Sequence, residues 1–185
     1  MPNTPHGLLP IAASLIILIA AVTDLRTRRI PNWLTLPSIP IGMLLNFALD
    51  GVSGLMASVF GVFIALLIYV PLYLLRAMGA GDGKLMAAIA AFIGWYVWLH
   101  LFFAASILGG IVAVLFTLAK GELRNALVRS VGILRSLAYF RAPFAADKTL
   151  DIRSAESISL PHGSVIALGW FGLLFFWGQF DLRLF

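Results

Sequence analysis

Two aspartates, Asp24 and Asp82, stand where long hydrophobic runs give way to polar or glycine-rich sequence. Asp82 lies in Gly79-Ala80-Gly81-Asp82-Gly83-Lys84, between two apolar stretches, and Asp24 lies at the end of the first such stretch. An ionisable group at the edge of a membrane span is costly to place and marks a functional site. Two carboxylates brought together cannot readily both ionise, so such a pair holds one proton near neutral pH. The ionised member can then deprotonate water while the protonated member polarises a carbonyl, which is acid/base hydrolysis. Either aspartate alone has a plainer reading. Asp82 would cap the helix that follows it, and Asp24 would pair with the neighbouring arginines. The chemistry depends on the two meeting.

Other chemistries fail on their residues. A phosphate-binding loop needs a glycine five residues before Gly83 and Ser or Thr after Lys84, but Met78 and Leu85 stand there. A dinucleotide fingerprint fails because Lys84 occupies the place of its third glycine. The chain has no cysteine, which removes thiol nucleophiles, disulfides and thiolate-bound zinc. His6, His100 and His162 are dispersed, so no metal site is expected and no cofactor is called for. Ser164 is too close in sequence to His162 to read as part of a triad. Gly81 and Gly83 flank Asp82 with backbone that can take positive φ and allow close approach. The turn is therefore expected to expose Asp82 to an incoming extended peptide.

The elements that must carry these residues are membrane helices. Of 185 residues, 61% are hydrophobic and 11% charged, against about 25% charged in soluble domains. One membrane domain covering 1–185 is expected, all-α and polytopic. A span needs roughly 20 apolar residues. Gly7–Thr23, Trp33–Leu49 and Leu55–Leu75 meet this, with Asp24–Asn32 as a polar loop, Asn32 as a helix cap and 50–54 as a tight turn. Leu85–Leu118 has 34 residues without a formal charge. As one helix it would be about 50 Å long, too long for a core of roughly 30 Å. It should fold into two spans at the aromatic stretch 94–100. Val165–Phe180 completes six. The first run lacks a basic flank and a cleavage site, so it reads as a retained helix.

Charge sets the orientation. Under this arrangement twelve of the thirteen Lys and Arg residues lie on one side, and only Arg183 lies on the other. The positive-inside rule makes that side cytoplasmic and both termini periplasmic. The basic excess thus reflects topology and membrane lipid, with no nucleic acid implied. Asp24 and Asp82 fall at the same cytoplasmic boundary. The loop 119–163 is expected to be cytoplasmic and part-helical. Leu123, Leu127, Val131, Leu134, Leu137 and Ala138 share one face of it, an amphipathic segment at the interface or on the bundle.

Asp24-x-Arg26 followed by Ile30-Pro31-Asn32, together with Gly79-Ala80-Gly81-Asp82-Gly83-Lys84-Leu85, resembles the prepilin peptidases (type IV leader peptidases). These belong to the GxGD intramembrane aspartyl proteases. The resemblance runs from about residue 7 to 118, and Pro161-His162-Gly163 is similar to the family's Pro-aromatic-Gly motif. It implies that Asp24 and Asp82 are the catalytic pair and that prepilins lose a short basic leader at the cytoplasmic face of the inner membrane. With no paired cysteines, the chain looks like the short, peptidase-only form associated with Flp-type pili. Gly79, Gly81, Gly83 and Lys84 would then shape the site, with Lys84 tuning Asp82 or touching substrate. Arg26 and Arg29 would bind lipid phosphates or an acidic pilin residue, unless they only set topology. The rival functions are a small proton- or cation-coupled transporter using the same aspartates, and a non-catalytic assembly protein.

Overall fold

A computed structural model describes residues 7–74, 78–121 and 162–180. The expected amphipathic segment and nearly all of the 119–163 loop lie outside these. Among the described residues there are helices and no strand: α1 (Leu8–Thr27), α2 (Asn32–Leu74), α3 (Ala80–Ala119) and α4 (His162–Phe180). The first three are long and apolar enough to cross a membrane.

Helices α2 and α3 each break at one glycine. Gly51 has φ 62°, ψ −143°, and Gly94 has φ 70°, ψ 172°, conformations that side-chain-bearing residues avoid. Both breaks reverse the chain. Residues twelve apart in a continuous helix lie about 18 Å from each other. Yet the Trp98 indole N–H donates to the Met86 carbonyl at 2.9 Å. Likewise Asn46 and Ser58, also twelve apart, both donate to the Ala91 carbonyl, at 2.9 and 2.8 Å. Each long helix is therefore a hairpin. The second turn is sharper than expected, because the aromatic residues 95–100 are helical and only Gly94 bends.

The segment 80–93 is the middle of the molecule. Leu85 to Gly94 are all buried, as expected of a helix that is apolar on every side. The half of α2 before Gly51 runs parallel to it, with Gly42 against Ala91 and Phe92. The half after Gly51 runs antiparallel, with Gly61 at Ala90 and Tyr69 at Gly83. Asn46 donates to the carbonyls of Gly42, Ala91 and Phe92. With Ser58 it partners backbone acceptors that the break at Gly94 leaves without helical donors. Helix α4 packs antiparallel on α3, Gly169 at Ala105, and on α1, where the Trp170 N–H donates to Ser14 Oγ at 2.7 Å.

This arrangement gathers the end of α1, the start of α2, the start of α3 and the start of α4 at one end of the bundle. The two glycine breaks lie at the other.

Candidate active site

Asp24 enters the site by helical register. The buried face of α1 is Leu9, Ala13, Ile16, Ile17, Ala20, Ala21 and Asp24, a stripe with steps of three and four. The carboxylate thus occupies the next core-facing position after Ala20 and Ala21, and it is 7% exposed. Helix α1 does not stop at the hydrophobic edge. It continues to Thr27, where Arg28 (φ 54°) ends it and donates its N–H to the Asp24 carbonyl at 2.8 Å. Thr23 and Thr27 return their hydroxyls to carbonyls of the preceding turn, which lets polar residues extend the helix. The polar loop expected from Asp24 therefore begins four residues later. Arg26 and Arg29 are exposed on this end.

The partner of Asp24 comes from far along the chain. The Gly163 N–H donates to Asp24 Oδ2 at 2.9 Å. It lies in the first turn of α4, where backbone N–H groups have no helical acceptor and the helix dipole favours an anion. A larger residue would crowd this approach. A Cβ on Gly163 would lie 3.1 Å from both Asp24 Cβ and Oδ2.

Asp82 is the third residue of α3, and Gly79 is its N-cap. The Gly79 N–H donates to the Asp82 carboxylate, one half of the reciprocal cap found at helix starts. The Gly79–Gly83 stretch is thus not an open turn, since the helix already begins at Ala80. None of Gly79, Gly81 or Gly83 has positive φ. Their work is close approach. A Cβ on Gly81 would lie 3.2 Å from Ile30 Cβ, and one on Gly83 would lie 3.1 Å from Tyr69 Cβ. Tyr69, 5% exposed, sets its ring edge-on to Trp98 and Phe102.

Asp24 and Asp82 stand at the same end of the bundle, near enough for electrostatic influence of Asp24 and His162 on Asp82, while Gly163 holds Asp24 through its backbone. Lys84 reaches across to α2, where its ammonium donates to Asn32 Oδ1 at 2.9 Å. Asn32, expected to cap α2, is instead the first residue of that helix. The Pro31 carbonyl receives the N–H groups of Leu34 and Thr35. Among the described residues no cluster of three or more His, Asp or Glu could hold a metal ion.

Sequence reasoning placed both aspartates at one boundary but missed that Gly163 holds Asp24 and that Ile30 packs on Gly81, and it missed Tyr69 altogether. The buried stripe on α1 appears only in the folded chain, because the exposed positions of the helix are equally apolar. Nothing local in the sequence points to the Gly163 bond.

Gly163→Ala gives a direct test of the geometry. The added methyl must shift Asp24 or tilt α4 by a few tenths of an ångström, so hydrolysis by the aspartate pair should fall about ten- to a hundredfold, the scale of misplacement at a reacting centre. Retention of α-helical circular dichroism would show that the loss is local. Unchanged cleavage would mean that the Asp24–Gly163 contact does not set the site.

Comparison with known proteins identifies the family. The family model described as "Type IV leader peptidase family" matches residues 11–114, a range that includes both aspartates. Several relatives are named "Prepilin leader peptidase/N-methyltransferase". The one from Neisseria gonorrhoeae is 33% identical over 107 residues, covering 54% of this chain and 37% of that protein. The one from Dickeya chrysanthemi is 37% identical over 95 residues, covering 48% and 34%. The one from Legionella pneumophila is 34% identical over 116 residues, covering 59% and 40%. The matched stretch thus spans no more than 40% of these relatives' own length. No solved structure matches the chain. With more than half of its length matched by the family model, the chain belongs to the type IV leader peptidase family.

Proposed function

We propose that this chain is an aspartyl endopeptidase that removes the leader peptide of prepilins at the cytoplasmic face of the bacterial inner membrane. The observation that carries the reading is the placement of Asp24 and Asp82 at one end of the bundle, each at a helix end and each receiving a backbone N–H. In the proposed reaction one ionised carboxylate takes a proton from water. The resulting hydroxide adds to the scissile carbonyl, and the protonated carboxylate gives its proton to the carbonyl oxygen. Collapse of the tetrahedral adduct breaks the C–N bond, and the amine leaves with a proton returned by the dyad.

Family membership and the names of the relatives support a prepilin substrate, of Flp-type or type IV-like kind. A transporter reading is not favoured. Proton-coupling carboxylates belong within spans facing a cavity, whereas Asp24 and Asp82 lie in terminal turns. No step calls for a cofactor, and the exposed Arg26 and Arg29 suit lipid phosphates at that face. The decisive experiment is co-expression with a candidate prepilin, followed by mass spectrometry of the pilin. Loss of the leader mass is the expected result, and it should persist in the presence of a chelator. An intact leader with every Flp-type and type IV-like prepilin offered would reject the reading.

The proposed topology has six spans, formed by α1, the two halves of α2, the two halves of α3, and α4, with both termini periplasmic. The basic asymmetry and the two glycine reversals support it. Reporter fusions after Arg141 should read as cytoplasmic and fusions after Phe185 as periplasmic. The opposite result at either place would overturn this topology.

A further inference from the structure

Asp24 and Asp82 sit on different helices, and the link between those helices includes one contact that the catalytic reading leaves unused. Residues 28–31 lead from α1 into α2. This link is held against the first turn of α3 at two points. Ile30 packs where a Cβ on Gly81 would lie 3.2 Å away. One residue into α2, Asn32 Oδ1 accepts from Lys84 Nζ at 2.9 Å, across 52 residues of sequence. Gly81 and Lys84 bracket Asp82, so the two contacts grip the turn that carries the carboxylate. On the other side of the link, Asp24 is eight residues before Asn32 and in the last turn of α1. One hydrogen bond thus joins the start of α2 to the turn that carries Asp82.

We propose that Lys84 and Asn32 form a latch that sets the spacing of the two aspartates, making Lys84 a positioning residue that acts through Asn32. The proposal rests on the aspartyl-protease reading for its consequence, but the contact itself can be tested apart from it. A lysine at this place could otherwise serve by its charge alone, two residues from Asp82, or by touching the substrate. These roles differ in what can replace the side chain. A latch needs only a connection between positions 32 and 84. A charge needs a cation, and a substrate contact needs a free side chain.

The absence of native cysteine makes the distinction practical. In the Asn32→Cys/Lys84→Cys double variant, a short bis(methanethiosulfonate) reagent can join the two thiols through reducible disulfides. Before linking, kcat for leader cleavage is expected to be about ten times below wild type, the scale of coupling between residues that share one hydrogen bond, with KM little changed. Linking should restore most of the rate, and reductant should remove it again. Lys84→Arg and Asn32→Asp should keep most of the activity, because a donor and an acceptor still face each other. Lys84→Met combined with Asn32→Leu should be no slower than either single variant.

A link that forms, as judged by mass, without recovery of the rate would overturn the latch in favour of charge or substrate contact. Failure of the link to form would overturn it as well, whatever the activity. A wild-type protein that cleaves no prepilin would count against the proposed function, while the linking step would still decide whether positions 32 and 84 meet.

Discussion

Asp24→Asn and Asp82→Asn are each expected to abolish leader cleavage, lowering the rate by about 10⁴-fold, while the protein stays folded in the membrane. The structure explains why folding should survive. An asparagine at 24 can still accept the Gly163 N–H through Oδ1, and one at 82 can still accept from Gly79. What the amide cannot do is exchange a proton with water or the scissile group. If the pair works as a unit, the double variant should be scarcely slower than either single one, since such losses do not add. Asp50→Asn is the matched control. Asp50 is exposed beside the Gly51 break, at the opposite end of the bundle, and its substitution should leave cleavage unchanged. Prepilin processing at near-normal rate by either active-end variant would end the aspartyl-protease proposal.

Gly42→Val is expected to destabilise the fold strongly. A Cβ there would lie 2.8 Å from the Ala91 carbonyl carbon and 2.9 Å from its oxygen. These are backbone atoms of the fully enclosed segment, which cannot turn aside as a side chain can. Valine adds two further methyl groups to that clash. Overpacking of a filled core costs typically about 1–3 kcal/mol. At this position it would also pull Asn46, one turn away, from the Ala91 and Phe92 carbonyls. The thermal unfolding midpoint in detergent should fall clearly, with reduced yield from membranes. Gly110→Ala and Gly172→Ala are controls, because nothing lies within 4 Å of an added Cβ at either place. An unchanged midpoint for Gly42→Val would mean that α2 and α3 are not packed this closely.

The elements most legible in the sequence were those fixed by length and period. Leu85–Leu118 is too long to be one span, and a glycine stands at the place where it has to bend. Asp24 was legible as the polar end of an apolar run, but its direction was not, because α1 is apolar on every side and only packing selects its buried face. The glycines around Asp82 were legible as important but not in their role. Glycine permits both a turn and a close helix contact, and composition does not separate the two. In the folded chain Ile30 and Tyr69 occupy the space where side chains would stand. Least legible were Gly163 on Asp24, Asn46 on Ala91 and Lys84 on Asn32. Each joins a side chain to a group 45 or more residues away, and such bonds exist only after whole helices have packed.

The enclosed segment 80–93 has a consequence for how the protein is made. At 1.5 Å per residue it is about 21 Å long, short of a hydrocarbon core of roughly 30 Å. From Leu85 on it is buried among the other helices, so lipid is not its natural solvent. A nascent chain that halted just past Gly94 would offer the translocon a stretch too short to settle alone, opening with Asp82 and Lys84. Stable integration therefore waits for residues 95–119 to emerge and carry the segment in as the partner arm of a hairpin, against an α2 already in place. Asp82 thus enters after Asp24, and the Gly163 N–H that holds Asp24 arrives later still with α4.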